Sequence, residues 1–297
     1  MKKRTLLIFS ILSAVGAWLW LNYTLPMAKY NIPIEKIYVI NLDRSKDRLD
    51  SISKGLKEQN LEFTRFPAVL GTALKIKDEN GKVFLGEDLV SGKQSFRIGE
   101  KYKIYCPNVT INYEWNPSLV RGHGDPISAG ELGVYCSNFE IMQEVIKHRY
   151  KAVLILEDDL IIPPDFTESL KILEKNMPNY KKYDAIALGS RGFSSNKWIH
   201  EKLLVKKIPF NSVVEKVTSY DKSNIVPYAV IVGFSGAKKI LGINPKQDIG
   251  FDIGVLANRG EFNTFWARNI NLKFKDFGSE IEKMGRKNII PDPNKPC

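Results

Sequence analysis

The residues best suited to chemistry form one run, Glu157-Asp158-Asp159, directly behind the apolar stretch Ala152-Val-Leu-Ile-Leu156. Three adjacent carboxylates repel one another. A hard divalent cation with oxygen ligands, Mn²⁺ or Mg²⁺, removes that cost and can bridge carboxylate to phosphate. A short, wholly apolar run reads as a central strand, and α/β sheets bind ligands beyond the carboxyl ends of their strands. A plain solvated strand end is the alternative. In an extended segment Glu157 and Asp159 project one way and Asp158 the other, so the three need not share one ion.

A second candidate is Ser128-Ala-Gly-Glu131, a capping-box pattern at a helix start. Gly130 and Gly133 fall in its first turn, where a missing side chain permits close approach of a ligand and free N–H groups attract anions. A capped helix is equally a structural feature. His123, His148 and His200 stand apart from one another, and the chain's three cysteines have no zinc spacing, so neither a transition-metal site nor a Ser-His-Asp triad is supported. A Cys106–Cys136 bridge is open to the chain. Dinucleotide and Walker phosphate loops are absent.

These groups need elements to position them. Lys36-Ile-Tyr-Val-Ile-Asn41 predicts a buried strand, followed by a helix that Ser45 can cap, with Leu49, Ile52, Ser53 and Leu56 as its stripe. Leu61 to Phe66 alternates as a second strand would. Residues 72–127 are irregular and mixed in charge, and read as a loop-rich insertion. Behind Ser128 a periodic helix carries Leu132, Tyr135, Cys136, Phe139, Met142 and Ile146 on one face. The strand 152–156 follows, then a helix from Pro164 to about Asn176, a strand over 183–188, shorter strands through 202–232 and a helix around Ala237 and Ile240. Strands alternating with helices predict an α/β layered domain with a mainly parallel twisted sheet.

The chain has 297 residues with 44 Lys+Arg against 33 Asp+Glu, so 44 − 33 = +11. Ordinary Gly and Pro content excludes a fibrous or low-complexity chain, and the length suits an enzyme-sized unit. Lys2, Lys3 and Arg4 precede an uncharged stretch from Thr5 to Ala28 that is long enough to span a bilayer, with Trp18, Trp20 and Tyr23 toward one end. The apolar run passes its small residues without a convincing cleavage site, so residues 1–28 are expected to be a membrane anchor rather than a signal peptide. Residues 29–297 then form the second unit, with 41 − 33 = +8. Its positive excess suggests an anionic partner, although no nucleic-acid module signature appears and nucleic acid is not expected as that partner.

The stretch from Ile37 to Gly71 resembles the start of glycosyltransferase family 25, the group of lipooligosaccharide and collagen sugar transferases. GELGVYCSNFEI (130–141), LILEDD (154–159), YDAIALGSRG (183–192), GFSGAKKIL (233–241), Asp252 and GSEI (278–281) continue the likeness in the family's order. Asn138 stands where the family usually has His, and Val134 where it has Cys. The resemblance implies a GT-A-like nucleotide-binding domain, a UDP-sugar donor and a divalent cation on the diphosphate. It implies Asp159 first, then Asp158 and Glu157, as metal ligands, with Glu157 as a possible ribose contact. Asn41, Asp43 and Arg44 would lie near the nucleotide, and Asp252, or its neighbour Asp248, would be the base for the acceptor hydroxyl. The expected reaction is hexose transfer, galactose or glucose, to a glycan or glycolipid acceptor such as lipooligosaccharide core, with inversion. The altered 130–138 segment also admits a non-catalytic sugar- or nucleotide-binding protein on the same fold. Orientation depends on source: a bacterial inner-membrane enzyme facing the cytoplasm, or a type II enzyme facing a secretory lumen.

Overall fold

The computed structural model describes residues 34–114, 127–177, 183–190, 205–209, 211–220, 227–242, 262–268, 270 and 272–275. The expected anchor over 1–28 lies outside them, as do Asp248 and Asp252. No described helix is long and apolar enough to cross a membrane.

The chain opens as the residues predict: strand β1 (Ile34–Asn41), helix α1 (Lys46–Glu58) and strand β2 (Thr64–Pro67). Alternation on β1 divides the core. Ile37 and Val39 pack with Ile52 and Leu56 of α1, whereas Tyr38 and Ile40 face the opposite layer. Ser45 stands at the N-cap of α1 but makes no side-chain cap bond. Its carbonyl instead accepts from the Asn41 side chain at 2.9 Å.

The segment expected to be loops is a small sheet. A one-turn 3-10 helix (Gly71–Ala73) leads into β3 (Lys75–Asp78), β4 (Val83–Leu85), helix α2 (Gly86–Val90), β5 (Lys101–Tyr105) and β6 (Thr110–Glu114). The four strands form an antiparallel sheet in the order β4-β3-β5-β6. Each is only three to five residues long, with one apolar face, so its period-two signal is too brief to stand out among charges. Phe96 packs edge-on against Tyr102 and Tyr113 beneath this sheet, each with ring centroids 4.8 Å apart.

Helix α3 (Ala129–His148) begins at Ser128, whose side chain and that of Glu131 cap each other's backbone N–H. It is buried well beyond the predicted stripe, on Ser137, Asn138, Glu140 and Ile141 as well. The cause is its position. Its apolar residues share one core cluster with Tyr102, Ile104 and Tyr113 of the small sheet and with Val153 and Ile155 of the large sheet. Cys106, just past β5, is disulfide-bonded to Cys136 in the middle of α3, tying the small sheet to the helix.

Strand β7 (Ala152–Glu157), strand β8 (Leu160–Ile161), helix α4 (Phe166–Asn176), strands β9 (Ala185–Ser190), β10 (Val205–Pro209), β11 (Val214–Tyr220) and β12 (Pro227–Gly233), helix α5 (Phe234–Gly242) and strands β13 (Thr264–Ala267) and β14 (Lys273–Phe274) complete the described chain. The large sheet runs β10-β11-β13-β9-β12-β7-β1-β2. It is mixed rather than mainly parallel. Three of its neighbouring pairs are parallel, β1 with β2, β1 with β7 and β9 with β13. The other four are antiparallel, because β12 enters reversed between β7 and β9 and β11 is reversed beside β13. A strand buried on both faces is apolar throughout whichever way it runs, so composition carried no information on direction.

A polar anchor closes the amino end of β9. Asp184 is 2% exposed, and its carboxylate accepts from Lys239 Nζ at 2.7 Å, the Asn263 amide at 2.8 Å and Ser235 Oγ at 2.8 Å. Gly236 lets α5 lie directly on the Asp184 backbone, and a Cβ there would stand 3.0 Å from Asp184 Cα. The blocks around Asp184 and around Gly236 to Lys239 therefore hold helix to sheet, at the edge opposite the acidic run.

Candidate active site at the carboxyl edge of the sheet

β2, β1 and β7 are parallel neighbours, so their carboxyl ends lie side by side. Asn41 pairs in register with Pro67, and Ile40 with Glu157. The sheet thus brings Asn41 against Glu157-Asp158-Asp159, although 117 residues separate Asn41 from Asp158. Asp158 and Asp159 are both buried, at 8% and 6% exposure, and Glu157 is partly buried.

The side chains around the run are interlocked. Asn41 Nδ2 donates to Asp158 Oδ2 at 2.6 Å, and Arg48 from the first turn of α1 donates to Asp158 Oδ1 at 3.2 Å. The same guanidinium stands 3.8 Å from Asp159 Oδ2. Arg65 of β2 donates to Asn41 Oδ1 at 2.9 Å and to the Asn41 carbonyl at 3.2 Å, and it also binds Asp43. Arg65 therefore sets the amide orientation of Asn41, and Asn41 sets the carboxylate of Asp158. The Lys275 amide donates to the Asp159 carbonyl at 2.9 Å, and β14 pairs with β8 just beyond the run.

Burial pushes the Asp158 carboxyl above the ordinary carboxylate range, opposed by the Asn41 hydrogen bond and by Arg48. The Arg48 guanidinium faces both buried carboxylates. Hard oxygen donors of this kind suit Mn²⁺ or Mg²⁺. Among the described residues, no three His, Cys, Asp or Glu side chains are grouped to hold an ion by themselves.

The other expected residues divide by position. Asp43 and Arg44 are exposed on the turn between β1 and α1, beside this corner. Gly189 closes β9 at the same edge, since Ala229 of β12 pairs with both Leu156 and Gly189. Gly130 is buried in the first turn of α3. Gly133 faces the chain itself: a Cβ there would meet Val69 O at 2.5 Å and Gly71 N at 2.8 Å, so its missing side chain admits backbone rather than ligand. Ser137 continues that packing, accepting from the Val69 amide and donating to Gly133 O. Asn138 donates to Val134 O at 2.9 Å, within its own helix.

Arg48 and Arg65 are the residues of this corner that sequence reasoning did not place beside the carboxylates. The available signal was an arginine at each element boundary around one strand end.

The model of "Glycosyltransferase family 25 (LPS biosynthesis protein)" matches residues 34–239. The chain is 26% identical to procollagen galactosyltransferase 2 of Mus musculus over 217 residues, covering 71% of this chain and 28% of that protein. It is 25% identical to the Homo sapiens protein of the same name over 233 residues, covering 75% and 30%. A glycosyltransferase 25 family member of Drosophila melanogaster is 24% identical over 163 residues, covering 55% and 22%. The chain thus spans less than a third of the length of these curated relatives. The matched residues contain Asn41, Arg48, Arg65 and the buried carboxylate pair, and the chain belongs to glycosyltransferase family 25.

Proposed function

We propose that the protein is a hexosyltransferase that moves galactose or glucose from a UDP-sugar to a hydroxyl of a glycan or glycolipid acceptor, with inversion. The carrying observation is the buried Asp158–Asp159 pair at the carboxyl end of β7, held by Asn41 and Arg48. Galactose is favoured by the names of the mouse and human relatives.

Asp159 and Asp158, with Glu157, would hold a divalent cation, which when bound offsets the charge that develops on the departing nucleoside diphosphate. The protein's own side chains prepare that corner in advance. Arg48 favours the ionised form of Asp158 against its burial, and the Arg65–Asn41 relay fixes the orientation of that carboxylate. Asp43 and Arg44 border the nucleotide, and Asp252, with Asp248 as its neighbour, would take the proton of the acceptor hydroxyl.

Residues 1–28 would anchor the enzyme to a membrane. The Cys106–Cys136 bridge, a bond that persists in oxidising compartments, favours the type II arrangement, and with it a glycan acceptor other than lipooligosaccharide core.

The full-length protein, offered a panel of UDP-sugars with Mn²⁺ or Mg²⁺ and acceptors including lipooligosaccharide core and procollagen peptides, should release UDP and yield a glycosylated product. Asp158→Asn/Asp159→Asn should lower turnover by at least about a hundredfold. Full activity in that variant would reject the site.

A further inference from the structure

The small sheet has a second face that the proposed reaction does not use. Its inner side chains, Ile76, Phe84, Tyr102, Ile104, Ile111 and Tyr113, are buried against α3 and neighbouring core. Period two then forces the alternate residues outward. Register places Leu85, Lys75, Tyr105 and Thr110 in one row across the sheet, and Val83, Lys77, Lys103 and Asn112 in the next. Lys101 lies beyond, opposite Glu114. Lys75, Lys101 and Lys103 are exposed and Lys77 is partly so.

Two features of this face are costly if it meets only water. Lys77 and Lys103 are directly paired across β3 and β5, a like-charge contact that weakens a sheet. Val83, Leu85 and Tyr105 are 57%, 40% and 39% exposed, three of the five large apolar side chains exposed among the described residues. The acidic groups nearby sit mainly at its border. Asp78 and Glu79 are at the β3–β4 turn, Glu87 and Asp88 follow β4, and Asp88 accepts from the Leu85 amide. Glu114 is the single acid within the rows.

We propose that this lysine-rich outer face of the small sheet docks on an anionic lipid surface. Phosphate headgroups between Lys77 and Lys103 turn their repulsion into attraction, and each lysine near such a surface strengthens binding roughly fivefold. Aliphatic and tyrosine side chains interleaved with lysines enter the headgroup boundary, where a soluble polyanion offers them no apolar contact. Lysine is depleted at protein interfaces, which argues against a protein occupant. The docking holds whether or not the chain is also anchored.

The test uses the full chain in phosphatidylcholine vesicles, with or without added phosphatidylglycerol. Lysines are acetylated with a water-soluble ester and read by mass spectrometry. Lys75, Lys77, Lys101 and Lys103 should react at least about threefold more slowly on the anionic vesicles, and about 0.5 M salt should abolish the difference. Lys54, exposed on α1 in the opposite layer, should react alike on both. Lys77→Gln/Lys103→Gln removes the like-charge pair, so it should fold at least as stably and lose the lipid dependence at Lys75 and Lys101. Equal labelling on both vesicles, protection by soluble heparin without protection by vesicles, or unchanged protection in the double variant would each overturn the proposal.

Discussion

Arg48 reaches both buried carboxylates at the end of β7. Its guanidinium stands 3.2 Å from Asp158 and 3.8 Å from Asp159, so Arg48→Met takes a counter-charge from both buried carboxylates at once. Breaking a buried pair from one side costs about 3–5 kcal/mol, and urea unfolding should show a loss of that order. The double variant Arg48→Met/Asp158→Asn should recover part of it, a coupling that two independent sites would lack. Arg65 acts differently. It is partly exposed and holds Asn41 through a two-pronged contact that lysine cannot copy. Arg65→Lys should keep the melting temperature within a few degrees and lower kcat/KM for the proposed UDP-sugar donor about tenfold, because only the orientation of Asn41 and Asp158 changes.

At the scale of elements, the start of α3 is held by backbone against backbone. A Cβ on Gly71 would fall well inside contact distance of the Ala129 carbonyl, and one on Gly133 would strike the 69–71 segment from the other side. Gly71→Ala must move either the 3-10 turn or the helix. It should cost about 3 kcal/mol or more by chemical denaturation, against about 1 kcal/mol for Ser128→Ala, which loses one capping bond. This helix also marks how legible the chain was. Its cap and apolar stripe were written in Ser128, Glu131 and the periodic residues. Burial of its remaining faces came from the small sheet, whose short strands carry too little periodicity to announce themselves. The purpose of Gly133 followed the same division: the absence of a side chain was visible, but what came close to it was not.

Two properties belong to the whole molecule. The Cys106–Cys136 bridge closes a loop with a sequence separation of 30 and joins two layers of the fold. Chain-entropy reasoning gives it roughly 3–4 kcal/mol, so denaturation with reductant present should show a loss of that size. Tyr38 and Tyr102, on opposite sides of α3, are both pushed up to about 12 by burial. A raised tyrosine contributes stability that is intact below its unfolded value near 10 and is lost as pH rises through the folded value. Stability should therefore fall between about pH 10 and 12, and the tyrosinate absorbance of Tyr38 and Tyr102, read by difference against Tyr38→Phe and Tyr102→Phe, should rise together with loss of helical circular dichroism rather than before it.

The sequence by itself determined the family resemblance, the position of the carboxylates behind a buried strand, and most helices, because apolar periodicity, caps and motif order are local properties of the chain. Strand direction, the layer formed by residues 72–114 and the union of Asn41, Arg48 and Arg65 with Asp158 were decided only in three dimensions. A strand buried on both faces carries no mark of its direction, and partners 117 residues apart meet only when the sheet puts β1 beside β7.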